Sequence, residues 1–171
     1  MTSTPPGSDA AAALPSGRFA GREAFRQLVR DALARAAQEG WGEIILCDAD
    51  FDDWPLGERA VTQSLHDWSK AGRRCTLLAR RWDAVARRHA RFVTWRRTWS
   101  HIIDARACTS ADPLDIPSAI WSRGWVMQRI DTERCNGYTG SEPERRVLLH
   151  ENLQEWLLKS SPAFAANTLG L

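Results

Sequence analysis

The chain is 171 residues long, 43% hydrophobic and 26% charged, with a net charge of +2, which suits one globular domain with its own core. No apolar run is long enough to span a bilayer, and the first residues lack the basic region and apolar core of a signal peptide. Cys47, Cys75, Cys108 and Cys135 are widely spaced, with no CxxC pair or Cys/His cluster, which argues against a disulfide framework or zinc site. The expectation is a cytoplasmic protein with no membrane partner, metal or cofactor.

Taken in chain order, residues 1–17 are Pro, Gly, Ser, Thr and Ala with almost no charge and read as a flexible tail; residues 18–171 read as a single α/β domain. Arg22 to Gln38 has helical spacing, with Phe25, Val29, Ala32 and Ala36 on one face and Gly40 as a stop. Ile44–Asp48 is an apolar strand without alternation, as expected where both faces are covered. A second helix, Glu58–Lys70, aligns Val61, Leu65 and Trp68, and Cys75–Ala79 is a second buried strand. Residues 81–99 are helical in two pieces, and His101–Arg106 makes a third strand. This β-α-β-α-β order predicts parallel strands and a mixed, largely parallel sheet flanked by helices on both faces. Ser118–Trp121 and Trp125–Ile130 form a hairpin around Ser122-Arg123-Gly124. Ser141-Glu-Pro-Glu144 opens a last helix with a capping-box pattern, carrying Leu149, Leu153 and Trp156 inward, and the segment from Ser161 packs on the sheet.

Two segments carry candidate chemistry. The strand at Ile44 runs into Asp48-Ala-Asp50-Phe-Asp52-Asp53-Trp54-Pro55, four carboxylates at the carboxyl end of a strand, where ligands sit in open α/β sheets. An Asp-x-Asp strand end resembles the motif of haloacid-dehalogenase-type phosphohydrolases. That resemblance assigns Asp48 as nucleophile and Asp50 as acid/base, with Mg²⁺ bridging the phosphate. The chain departs from that family at Asp52 and at Ala79-Arg80, and neither Lys70 nor Lys159 is well placed. The alternative is a solvated acidic loop whose aspartates cap turn and helix amides.

The second segment is arginine-rich. Net charge is −2 over residues 1–79, +6 over 80–106 and −2 over 107–171, and arginine outnumbers lysine 21 to 2, an excess attributed mainly to GC-rich codon usage. Arg87, Arg88, Arg96 and Arg97, interleaved with aromatic residues, suit the neutralisation of phosphates and the stacking of bases. Against this, Phe92, Trp95 and Trp99 fit the i, i+3, i+7 spacing of a buried helix face, with the arginines merely solvated. Nine tryptophans is a high count, and Trp121 and Trp125, which bracket the hairpin turn, are candidates for a partner surface. His66, His89 and His150 read as helix-surface residues, and no HxxxH or HExxH spacing supports a metal.

The elements CDADFDDWPLG, RRCTLLARRWDAVARRHARFVTWRRTWSHIIDAR and a terminal helix ending in SSPAFAANTLGL resemble a bacterial domain of unknown function over roughly residues 20–171. That domain is found alone or behind an acetyltransferase domain and is related in fold to one half of phospholipase D. Its more specific parts correspond to Asp52–Leu56 and to Arg91, Ser100-His101 and Arg106. The resemblance implies a mixed sheet with a cleft at the strand ends and pairing into a homodimer. Active phospholipase D halves carry His-x-Lys-x4-Asp; at the matching hairpin this chain has Trp121-Ser-Arg123, with Asp131 the nearest later acid. The resulting expectation is a non-catalytic binding or protein-interaction module. Its site comprises Asp48, Asp50 and Asp52, with Arg91, His101 and Arg106 as neighbours. The alternatives are a phosphohydrolase on Asp48 and Asp50, or a nucleic-acid or polyanion binder on residues 80–99.

Overall fold

The computed structural model describes residues 13–166. Among the described residues, eight strands form one sheet in the order β1-β7-β6-β5-β2-β3-β4-β8. The strands are β1 (Gly17–Phe19), β2 (Glu43–Asp48), β3 (Arg74–Ala79), β4 (Ile103–Ala107), β5 (Ser118–Trp121), β6 (Val126–Asp131), β7 (Asn136–Gly140) and β8 (Ser161–Pro162). Five helices flank them: α1 (Arg22–Glu39), α2 (Arg59–Ser69), α3 (Asp83–Arg88), α4 (Ala90–Thr98) and α5 (Pro143–Leu158).

The expected parallel unit is present, with β2, β3 and β4 paired in parallel. The expectation of a largely parallel sheet is corrected, because the other five pairings are antiparallel. Two features bring this about. The hairpin at Ser122 extends into β7, and β5 joins the free edge of β2 antiparallel, Ile45 opposite Trp121. The apolar run of β2 divides between two cores: Ile44 and Leu46 face α1, α2 and α4, whereas Ile45 and Cys47 face Leu149 and Leu153 of α5. Continuous hydrophobicity follows from this two-sided burial.

Local signals explain the ends of the elements. Gly40 takes φ 66° and closes α1 with its amide on the Ala36 carbonyl, a left-handed cap that glycine adopts without Cβ strain. The capping box expected at Ser141 does not form; Glu142 is the cap residue, its side chain makes no cap bond, and Pro143 opens the helix. The tail assigned to residues 1–17 ends earlier. Leu14 packs on the core, and the Pro15 carbonyl accepts from Trp125 Nε1 at 3.0 Å and Thr139 Oγ1 at 2.8 Å, so β1 adds to β7. Residues 1–12 lie outside the described residues. At the other end, β8 pairs with β4 and Phe164 stacks on Trp82 at 4.7 Å, the packing expected of this segment; its last residues, 167–171, also lie outside the description.

Several side chains differ from expectation. Trp121 and Trp125 are both buried, with their indole N–H groups donating to the Arg146 and Pro15 carbonyls, which removes them as a partner surface. His89 is buried rather than exposed, and its Nε2 lies 2.8 Å from the Phe51 carbonyl. All four cysteines are free and buried, and burial pushes the Cys47 and Cys75 thiols well up.

Candidate functional site

At the carboxyl end of β2 the chain turns sharply. Phe51 sits at φ 58°, a conformation held by the Asp48 carboxylate, whose Oδ2 accepts from the Asp50 amide at 3.2 Å and the Phe51 amide at 2.8 Å. The other oxygen, Oδ1, accepts from Arg129 Nη2 at 2.9 Å. Arg129 comes from β6, is itself buried, and spends its remaining donors on Ser118, Asp53 and Cys135 while its guanidinium lies 4.0 Å over the Phe25 ring. Burial opposes the Arg129 charge, but the bonds to Asp53 and the charges of Asp48 and Asp53 outweigh it and hold its pKa above the ordinary arginine value. Asp48, Asp53 and Arg129 therefore form an ion cluster in which Asp48 and Arg129 are buried and Asp53 is partly exposed.

Above this cluster is a shallow cleft of about 310 Å³, edged by Arg22, Asp50, Asp52, Leu114 and Glu133. Asp50 reaches solvent, yet its surroundings partly desolvate it, and with nearby Asp48, Asp52 and Asp53 they raise its pKa. The Asp48 carboxylate is buried, with one oxygen holding the turn amides and the other paired with Arg129. Among the described residues no group of three or more His, Cys, Asp or Glu side chains is arranged to hold a metal ion.

The six residues grouped around this loop by sequence do not converge. Asp48, Asp50 and Asp52 share the strand end, and Asp52 turns outward to pair with Arg88 at 3.0 Å. Arg91, at the start of α4, donates to the Gly57 carbonyl at 2.9 Å on the helix side of the loop. Arg106 is pinned by Ser160, with Nε 2.7 Å from its hydroxyl and Nη2 3.0 Å from its carbonyl. His101 precedes β4, at the opposite end of the parallel strands from Asp48, roughly 16 Å away at 3.3 Å per residue. Arg129 and Asp53 were not singled out by sequence reasoning. The available signal was one arginine inside the apolar strand Trp125-Val-Met-Gln-Arg129-Ile.

The arginine-rich segment resolves into two kinds of residue. Phe92 and Trp95 are buried as the spacing predicts, and Trp99 is half-buried. Arg96 is buried with them: its Nε donates to the Phe164 carbonyl, its Nη1 has no partner, and desolvation lowers its pKa. It is therefore not available to a polyanion. Arg87, Arg88, Arg91 and Arg97 are exposed along α3 and α4, and residues 84–103 contain no Asp or Glu. Of these four, Arg88 alone has an acidic partner among the described residues.

Between α2 and α4 runs a groove of about 270 Å³, edged by Thr62 and His66 on one side and Arg91, Thr94 and Thr98 on the other. Trp99 closes one end, its Nε1 donating to His66 Nδ1 at 3.1 Å.

Neither a family model nor a curated protein matches this chain. Among solved structures, the fold is similar to that of TrmBL2, an archaeal chromatin protein whose structure shows a novel mode of DNA binding. The TM-score is 0.65 at 12% sequence identity, over 91% of this chain and 57% of that chain. This chain thus spans little more than half the length of that structure, and at this identity the likeness is one of fold.

Proposed function

We propose that this protein is a non-catalytic, phospholipase-D-like α/β domain that binds a polyanion, nucleic acid foremost, through the exposed face of α3 and α4. The observation that carries the proposal is three arginines of α3 and α4, Arg87, Arg91 and Arg97, solvent-exposed and without an acidic partner among the described residues, in a stretch lacking any carboxylate. Such arginines neutralise phosphates and release counterions, whereas arginines already paired with carboxylates do not. The similarity in fold to a DNA-binding chromatin protein agrees with this reading. The use of Asp48 to hold the turn and pair with Arg129 supports a structural role for the strand end.

The test is fluorescence anisotropy of a labelled oligonucleotide against the pure protein over a salt series. Binding that weakens steeply with salt is expected; no binding at about 20 mM salt, where the Debye length exceeds 20 Å, overturns the proposal.

A protein partner or a second copy is a second reading, favoured by a different surface. Val147, Leu148 and Leu158 of α5 are 54%, 66% and 87% exposed, an apolar outer face on a helix whose inner face already covers the sheet. Sedimentation equilibrium tests it: a monomer at all concentrations would reject the second copy.

A further inference from the structure

We propose that the groove between α2 and α4 is a nucleobase site, so that the polyanion is a single-stranded nucleic acid with one base seated against Trp99. This inference rests on the basic-face reading and names its ligand.

The groove is chemically unlike the arginines beside it. The three threonine hydroxyls on its walls each spend their proton on a helix carbonyl: Thr62 on Glu58 or Arg59, Thr94 on Ala90 at 3.2 Å, and Thr98 on Thr94 at 2.9 Å. They therefore present lone pairs to the groove. Lone pairs repel phosphate oxygens but accept hydrogen bonds from the amino and imino groups of a base.

The floor is Trp95, whose N–H is satisfied internally by Ser69, and the closed end is aromatic. The Trp99 ring lies 5.5 Å from the His66 ring and 5.9 Å from that of His101, and Trp99 remains partly open to solvent. Its N–H is held by His66 Nδ1, which fixes the indole plane and places the imidazole proton of neutral His66 on Nε2. An oriented, partly exposed indole flanked by imidazoles is a stacking platform for a π-face.

Charge complementarity selects the occupant. Arg91 stands on the groove wall, about 10 Å along the helix from Thr98 at 1.5 Å per residue, and is the one cation lining the groove among the described residues. A strand laid along α4 would set a phosphate on Arg91 and direct the adjoining base toward Trp99. In a duplex that base is stacked and paired, and its face is out of reach of a recess this narrow.

The experiment compares four probes by anisotropy at one low salt concentration: a single-stranded oligonucleotide, its duplex, an abasic strand of equal length, and inorganic polyphosphate. The single strand is expected to bind tightest. W99L is expected to weaken it about 5- to 100-fold while leaving the abasic strand and polyphosphate unchanged. T94V/T98V, at exposed helical positions, provides a second variant should W99L fail to fold, and is expected to narrow the gap between the base-bearing and abasic strands. Equal binding of base-bearing and abasic strands, or W99L and T94V/T98V proteins that both match the parent, would overturn the nucleobase site alone. Failure of all four probes to bind would overturn the basic-face reading and this inference with it.

Discussion

The molecule contains two concentrations of arginine chemistry, and they behave in opposite ways. At the end of β2, Arg129 is buried, and its donors meet Asp48, Asp53, Ser118 and Cys135. Along α3 and α4, Arg87, Arg91 and Arg97 stand in solvent and form no ion pair among the described residues. The first region is spent on internal ion pairs; the second is the surface to which the proposed polyanion binding is assigned. The loop Phe51–Gly57 links them, since the Phe51 and Gly57 carbonyls bond to His89 and Arg91 and Asp52 pairs with Arg88. A cluster of charged residues indicates binding only where its charges are not already spent on one another.

The sharpest way to break this comparison is at Arg129. Arg129→Met leaves Asp48 buried without its cation and is expected to cost about 3–5 kcal/mol of unfolding free energy, read by denaturant titration. Where the variant is still folded, polyanion affinity should be unchanged. A loss of affinity in the folded variant would make the β2 cluster part of the binding surface.

Next in size is His89→Ala, which leaves the Phe51 carbonyl with only the longer bond from the Trp54 amide at 3.3 Å. The expected cost is about 1–3 kcal/mol, with faster amide hydrogen exchange concentrated in residues 51–57. Exchange that rises evenly over the chain would show that this loop is not the coupling element.

The smallest effect concerns Glu58, which joins α2 to α1 through Arg30 at 2.7 Å and Arg26 at 3.4 Å. The Arg30 hydrogen bond holds the Glu58 pKa below its ordinary value of 4.5. A depressed carboxylate stabilises above its unfolded pKa, and that contribution is lost as pH falls below about 4.5 through the folded value. Because the pair is partly exposed, Glu58→Gln is expected to cost only about 0.5–1 kcal/mol at pH 7 and to flatten the acid limb of the stability profile.

Much of the α/β half was legible in sequence. The face Phe25, Val29, Ala32, Ala36, the strands at Ile44 and Cys75, and the helix carrying Val61, Leu65 and Trp68 follow from periodicity, because burial on one side imposes a helical repeat and burial on two sides a continuous run. The antiparallel half was less so. Asn136-Gly-Tyr-Thr-Gly140 is polar and glycine-bearing, and is a strand because it pairs with β6; β1 has three residues, and is a strand because Pro15 and Gly17 meet Thr139, more than 120 positions away. The acidic cluster was located correctly at the end of β2, but the basic partner that neutralises it comes from 81 positions away on β6. Conversely, the helical spacing of Phe92, Trp95 and Trp99 showed that aromatics turn inward, and could not show that Arg96 turns inward with them.

The most direct test of the account is the salt slope of oligonucleotide binding in the parent and in Arg87→Gln/Arg91→Gln/Arg97→Gln. These surface changes should leave stability within about 0.5 kcal/mol. If the α3–α4 face makes the phosphate contacts, affinity falls and the log–log slope becomes shallower by about 2, since each lost contact on a single strand is worth about 0.7. An unchanged slope with unchanged affinity would contradict the assignment of that face.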